Sequence, residues 1–219
     1  MKIGMIGAGF IGQALALLCV KNGHTVMLSN SRGPDTLATT IAEIGCLAGT
    51  AQEAAIFGDV VVLTVPFHSY RAAPVAPLSG KVVIDTCNYY PNRDGTIAAL
   101  EERLTTTSEM VAEHLSGARI VKAFNAILAK DLDVDVQLPG FSGRRALPIA
   151  GNDAEAKAIV THLHQQFGFD VVDAGTLSES WRFERAKPAY CIPLDCAGLI
   201  KQLAVAERNH ELPEGSWRR

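Results

Sequence analysis

The chain has no run of eighteen or more apolar residues, so no segment is expected to cross a membrane as a helix. It has no long basic stretch, and its formal net charge of -3 over 219 residues leaves no electrostatic footprint for nucleic acid. Its cysteines, Cys19, Cys46, Cys87, Cys191 and Cys196, are odd in number and scattered, without a Cys-x-x-Cys pair. A disulfide framework is therefore not expected, nor is zinc, because no His/Cys cluster has metal spacing. Reduced thiols in a cytoplasmic protein are the expectation, since the first residues lack the apolar core and cleavage site of a secretory leader. There is no repeat, no low-complexity segment, no Ser–Tyr–Lys dehydrogenase signature and no obvious carboxylate dyad. The composition is that of an ordinary globular protein, 48% hydrophobic and 20% charged, long enough for one large domain with a small appendage.

The stretch KIGMIGAGFIG at 2–12 organises the rest. Residues 3–6 read as a short buried strand and 13–20 as a mostly buried helix of good helix formers. Between them, Gly7, Gly9 and Gly12 have the spacing G-x-G-x-x-G, completed by Ala8, Phe10 and Ile11. Gly7 lets the chain turn sharply out of the strand, Gly9 lets a pyrophosphate approach the backbone, and Gly12 lets helix and strand pack closely. The helix N-terminus offers free N–H groups and a positive dipole end to that phosphate. A tight turn with no ligand is the alternative, but strand, glycine turn and helix in this order favour a nucleotide.

A second strand at 24–28 runs into Ser29, Asn30, Ser31 and Arg32. An NAD site would place an acid here for the ribose 2′-hydroxyl, yet none occurs before Asp35. Arg32 instead stands where an arginine accommodates a 2′-phosphate, and Ser29, Asn30 and Ser31 can add hydrogen bonds. NADP is the expected cofactor.

Strands alternate with helical stretches for most of the chain, which predicts an α/β fold: a Rossmann-type, doubly wound, mainly parallel sheet with a small C-terminal helical part. A dinucleotide-binding domain is expected over 1–175, with a helical segment and tail over 176–219. Helices are expected at 35–44, after the capping box from Thr50 to Glu53, and at 96–104, 108–115 and 154–167. Further strands are expected at 60–65, 81–85, 119–123, 146–150 and 170–174. Pro148 suggests an edge position for the strand at 146–150. Residues 176–207 read as helical, interrupted by Pro188 and Pro193, and able to close the cleft or form a dimer interface. The tail at 209–219 reads as loose, with Trp217 as a possible anchor.

Loops at the carboxyl ends of parallel strands form the ligand crevice. That places Val65, Pro66 and Phe67 at its border, with Phe67 either covering a cofactor ring or packing in the core. Asn88 and Asn125 follow two other strand ends, where an amide can hold a carboxamide or a ribose hydroxyl. His68, Lys122, Lys187 and Tyr190 are candidate proton donors, each also explicable structurally, and alternation could aim Lys122 at solvent.

The motifs GAGFIG at 7–12, SNSR at 29–32, TVPF at 64–67, DTCN at 85–88, VKAFNAI at 121–127, AGND at 150–153 and DAGTL at 173–177 collect into a family. In their order and spacing the sequence resembles the NADP-dependent oxidoreductases related to the NADPH:deazaflavin (coenzyme F-420) reductases. It is also similar to the cytosolic oxidoreductase domain of the six-transmembrane metalloreductases, although without a membrane part a haem-linked reaction is not expected. The resemblance covers residues 1 to about 177; ESWRFERAKPAY at 179–190 departs from the pattern. It implies an NADPH site at Gly7, Ala8, Gly9, Phe10, Ile11, Gly12, Ser31, Arg32, Val65, Pro66, Phe67 and Asn88, with Ala123 and Asn125 beside the nicotinamide. It also implies a small-molecule hydride acceptor as partner and is compatible with a homodimer. Hydride transfer to a flavin-like ring, which needs little acid–base help, is the expected reaction. Reduction of a carbonyl or imine, or an NADP sensor without turnover, are the alternatives.

Overall fold

Valine-rich stretches with no room for solvent on either side become the centre of a parallel sheet. The computed structural model describes residues 1–138 and 140–217. Its strands are β1 (Lys2–Ile6), β2 (Thr25–Ser29), β3 (Leu47–Gly49), β4 (Val60–Leu63), β5 (Val82–Asp85), β6 (Arg119–Lys122), β7 (Ala146–Gly151) and β8 (Asp170–Asp173). They form one eight-stranded sheet in the order β3-β2-β1-β4-β5-β6-β7-β8. Neighbours are parallel except β6 and β7, which meet antiparallel at the pairs Val121–Gly151 and Lys122–Ala150. Every residue of β4 and β5 is buried, as strands covered on both faces must be. Alternation along β4 sends Val60 and Val62 to one core and Val61 and Leu63 to the other.

The helices are α1 (Phe10–Lys21), α2 (Ala38–Ile44), α3 (Ala51–Phe57), α4 (Pro91–Asp94), α5 (Ala98–Glu101), α6 (Thr107–His114), α7 (Asp131–Val134), α8 (Ala154–Gln166) and α9 (Cys196–Val205). Helices α1 and α8 cover one face of the sheet; α3 and α6 cover the other. Capping boxes start α3 at Thr50 and α6 at Thr106, and Gly45 stops α2 in the left-handed conformation, at φ 80°.

Several expectations need correction. Residues 34–44 are not one helix: a 3₁₀ turn over Pro34–Leu37 precedes α2. Strand β3 is too short to show in the hydrophobic pattern. Over 96–104 only Ala98–Glu101 is helical. Strand β7 is not the edge; β8 is. Pro148 is tolerated because the carbonyls of Arg145 and Ile149 accept from β8, so even-numbered residues turn their nitrogens the other way. On that side Ala146 N–H finds the Leu194 carbonyl instead of a strand. Residues 176–207 are not helical throughout, holding a 3₁₀ stretch over Leu177–Phe183 and, beyond both prolines, α9. These elements pack on β6, β7 and β8, and Trp217, 2% exposed, fastens the tail edge-on to Tyr190. The end of the expected loose tail, 218–219, lies outside the described residues.

Candidate active site

The sheet order reverses between β1 and β4, and the three glycines lie just above that switch point. Gly7 has φ +117°, and a Cβ on it would meet the Thr64 carbonyl oxygen at 2.1 Å. A Cβ on Gly12 would meet the Gly7 carbonyl oxygen at 2.3 Å. Both close the turn against β4. A Cβ on Gly9 meets nothing within 4 Å, so the space it leaves is open. Gly9 is also the N-cap of α1, and among the described residues no side chain caps that helix, so the first-turn N–H groups face this space without a side chain to satisfy them. Open space and uncapped donors together fit a pyrophosphate. Ala8 sits in the turn, its carbonyl accepting from Gln13 Nε2 at 2.8 Å.

At the end of β2, Ser29 is not available to a phosphate. Its buried hydroxyl donates to the Met5 carbonyl at 2.8 Å. Asn30 is engaged as well, with Oδ1 accepting from Arg32 N–H at 3.0 Å and Nδ2 donating to Thr36 Oγ1 at 2.8 Å. Ser31 and Arg32 are exposed, and no carboxylate pairs with Arg32 among the described residues. An unpaired guanidinium on a loop shaped by Asn30 fits a 2′-phosphate.

From Gly9 a cleft of about 480 Å³ runs over the ends of β4, β5 and β6. Phe10, Ile11, Val65, Pro66, Asn88 and Asn125 all line it. Asn88 Nδ2 donates to the Asn125 carbonyl at 2.9 Å. Asn125 Nδ2 donates to Asn88 Oδ1 at 3.1 Å and to the Phe183 carbonyl at 3.0 Å. Both of these partners are acceptors, which fixes the orientation of the Asn125 amide. Its Oδ1 is then buried with no donor among the described residues. A buried acceptor without a donor is costly, and the amide N–H of a nicotinamide carboxamide is of the right kind to meet it.

Two residues expected at the cofactor have side chains elsewhere. Phe67 is fully buried, stacked on Tyr70 with ring centroids 4.8 Å apart and edge-on to Tyr89, so it supports the loop from the core. Ala123 is also fully buried, and its N–H donates to the Asp85 carbonyl at 3.1 Å. Phe124 borders the cleft in a left-handed conformation at φ 55°, but its ring is buried in the core, parallel to the His164 ring at 3.8 Å.

Lys122 does not point to solvent. It is fully buried, and its Nζ donates to Asp85 Oδ2 at 3.2 Å, to Thr107 Oγ1 at 2.9 Å and to the Cys87 carbonyl. Asp85 also accepts from Ser108 Oγ at 2.6 Å and from Cys87 N–H at 2.8 Å. This ion pair joins the DTCN and VKAFNAI motifs beneath the cleft floor. Lys187 is spent on the tail, donating to the carbonyls of Glu207, Arg208 and His210, and burial lowers its pKa. His68 is half-exposed and bonds Asp94 Oδ1 at 2.9 Å. Burial works against the Asp94 carboxylate, yet hydrogen bonds from Arg93, the Tyr90 N–H and His68 hold its pKa at about 2.

Tyr190 does reach the cleft, and its hydroxyl meets that of Tyr90 at 2.5 Å. Burial, followed by the neighbouring Cys191 and Tyr90, pushes its pKa well above the ordinary phenol range. Tyr90 and Cys191, which also line the cleft, are absent from the candidates drawn from the sequence. Tyr90 follows a strand end in DTCNYYPN and could have been included on that ground; Cys191 carries no sequence signal.

Fold and site together define a dinucleotide-binding α/β protein of the Rossmann type. The model of the family described as NADP oxidoreductase, coenzyme F420-dependent, matches residues 2–89. A hypothetical protein of Sinorhizobium meliloti has a crystal structure 32% identical in sequence, with a TM-score of 0.78, covering 89% of this chain and 95% of that one. A structure from Arthrobacter, whose description proposes an F420-dependent NADP-reductase, is 24% identical with a TM-score of 0.70 and covers 82% of this chain and 87% of its own; at that identity it speaks to the fold. The rat metalloreductase STEAP3 is 27% identical over 202 residues, 88% of this chain; the chain spans 38% of that protein's length. Residues 2–89 thus carry the pattern of a family of NADP-dependent oxidoreductases, whose cofactor is NADP, and over nearly its whole length the chain is a relative of the Sinorhizobium meliloti protein.

Proposed function

We propose that this protein transfers hydride between NADP(H) and a flavin-like or deazaflavin ring. The observation that carries the reading is the chemistry of the cleft beyond the pyrophosphate space. Its walls include Phe10, Ile11, Val65, Pro66 and Leu128. Among the described residues the one charged side chain lining it is Arg93, already bound to Asp94 at 2.8 Å. Apolar, partly aromatic walls without a free carboxylate or ammonium suit a planar ring that delocalises the charge it receives.

In this reading the uncapped start of α1 holds the pyrophosphate, and Ser31 and Arg32 hold the 2′-phosphate. Asn125 Oδ1 accepts from the carboxamide and so sets the orientation of the nicotinamide ring. Bound there, NADPH supplies the hydride. The protein's own contribution is proximity, orientation and exclusion of water. Phe10, 87% exposed on the cleft rim, is free to lie against an incoming ring.

The test is NADPH oxidation by the purified protein with FMN, FAD, a 5-deazaflavin and ferric chelates, repeated with NADH. Turnover on a ring acceptor with NADPH preferred is the expected result. Tight NADPH binding without turnover on any of them would overturn the reading. The paired Tyr90 and Tyr190 hydroxyls favour a second reading, reduction of a small carbonyl or imine, which requires a proton donor. A cyclic imine such as 1-pyrroline in the same panel separates the two.

A further inference from the structure

We propose that Tyr90 and Tyr190 form a two-step proton relay, in which Tyr190 gives its proton to the acceptor in the cleft and is refilled by Tyr90. This inference rests on the oxidoreductase reading above and adds a source for the proton that accompanies the hydride.

The geometry supplies each part. The two hydroxyls lie 2.5 Å apart and both residues line the cleft. Each hydroxyl carries one proton, so a pair leaves one proton in the mutual bond and one to donate outward. Tyr190 is buried, 4% exposed, whereas Tyr90 also borders an outer groove with Asn92, Arg93 and Glu214. Either hydroxyl can donate to the other; the relay uses the arrangement in which Tyr90, on the outer face, donates to Tyr190 and leaves the Tyr190 proton free. The Cys191 side chain also hydrogen-bonds Tyr190. Burial and the contacts with Cys191 and Tyr90 keep Tyr190 protonated in the resting cleft, so its proton leaves together with the hydride step that charges the acceptor. The Arg93 and Arg185 guanidiniums lie 4.7 and 5.7 Å from the Tyr90 ring centre, so charge passing through the pair moves next to two cations.

Two further features hold the pair in place. Cys191 has φ 56°, a left-handed conformation that a non-glycine residue adopts at a cost, and its N–H bonds the Ala126 carbonyl at 3.2 Å, next to Asn125. Trp217 packs edge-on to Tyr190 at 6.0 Å.

The balance is simple. NADPH gives the acceptor a hydride with its electron pair and leaves as NADP⁺. The Tyr190 O–H bond breaks and a new bond forms from that proton to the acceptor atom that gained charge. Tyr90 passes its proton to Tyr190, and water in the outer groove restores Tyr90.

Steady-state turnover, with NADPH affinity measured separately by fluorescence, tests this in wild type, Tyr190→Phe and Tyr90→Phe. The probes are FMN, a 5-deazaflavin and 1-pyrroline. Tyr190→Phe should lower kcat roughly 10-fold on the rings, which tolerate charge, and about 100-fold or more on 1-pyrroline, within the usual range for a lost general acid. NADPH affinity should stay within about twofold, since neither hydroxyl is assigned to the cofactor. Tyr90→Phe should give a smaller loss in the same direction. Unchanged kcat in both variants would overturn the relay. Failure of wild type on every probe would instead overturn the oxidoreductase reading. In that event the pair is judged by proton NMR: a slowly exchanging hydroxyl signal present in wild type and lost in each variant supports it, and its absence from wild type refutes it.

Discussion

Replacing Gly9 with valine separates a glycine kept for a ligand from glycines kept for the fold. Gly9 has φ -76° and ψ -174°, extended geometry open to any residue, and a Cβ there meets nothing within 4 Å. Valine is a poorer N-cap than glycine, so the variant should lose no more than about 1 kcal/mol of stability. Gly7 and Gly12 are different, because their added Cβ atoms fall 2.1 and 2.3 Å from backbone oxygens. Alanine at either must move the backbone and should cost on the order of 2 kcal/mol or more. Binding should rank the other way. A valine side chain over the start of α1 keeps the pyrophosphate from the first-turn N–H groups. Two charge-assisted hydrogen bonds at about 1.5–3 kcal/mol each, partly replaced by water, amount to ~3 kcal/mol. That predicts roughly a 100-fold rise in the NADPH Kd. Fluorescence titration and thermal melting of the same sample measure both quantities. A folded Gly9→Val protein with its NADPH Kd within threefold of wild type would refute the assignment of this space to the cofactor.

Three other outcomes follow from the same contacts. Arg32→Ala should weaken NADPH roughly 10- to 100-fold and leave NADH unchanged, since a lost phosphate contact affects only the phosphorylated cofactor; equal loss for both in titration would remove the 2′-phosphate role. Lys122→Met strands the buried Asp85 carboxylate and should cost about 3–5 kcal/mol in urea unfolding, with partial recovery when Asp85 is also made apolar; a loss under 1 kcal/mol would contradict the buried pair. Burial pushes the His164 imidazole down from 6.5 to about 4, against the bond from Nδ1 to the Val160 carbonyl at 2.8 Å. The unfolded chain then binds the extra proton first, so this contribution is whole above about pH 6.5 and is lost as the pH falls toward 4, by ~3 kcal/mol in all. Its NMR signals should keep their neutral positions down to about pH 5, and titration near pH 6.5 would show that the ring is not sealed in.

What the sequence determined by itself is the part set by short-range chemistry. A strand, a G-x-G-x-x-G turn and a helix follow from neighbouring residues. So do the capping box at Thr50 and Glu53, the left-handed stop at Gly45 and the buried valines of β4. Turn geometry and hydrophobic period are properties of a few consecutive residues, so they can be read without knowing the rest of the chain. The class of sheet and the crevice at its carboxyl edge follow from these elements in order. The tertiary structure decided which side chain meets which. Phe67 and Phe124 both went to the core, on opposite faces of the sheet, where Phe124 stacks on His164 of α8. Ser29 was spent on Met5, and Lys122 was enclosed by Asp85 and Thr107 from other elements. Tyr90 and Tyr190, one hundred positions apart, met only because the C-terminal segment folds back over β6 and β7. Such pairs depend on how layers pack, and no local pattern in the chain encodes the distance between them.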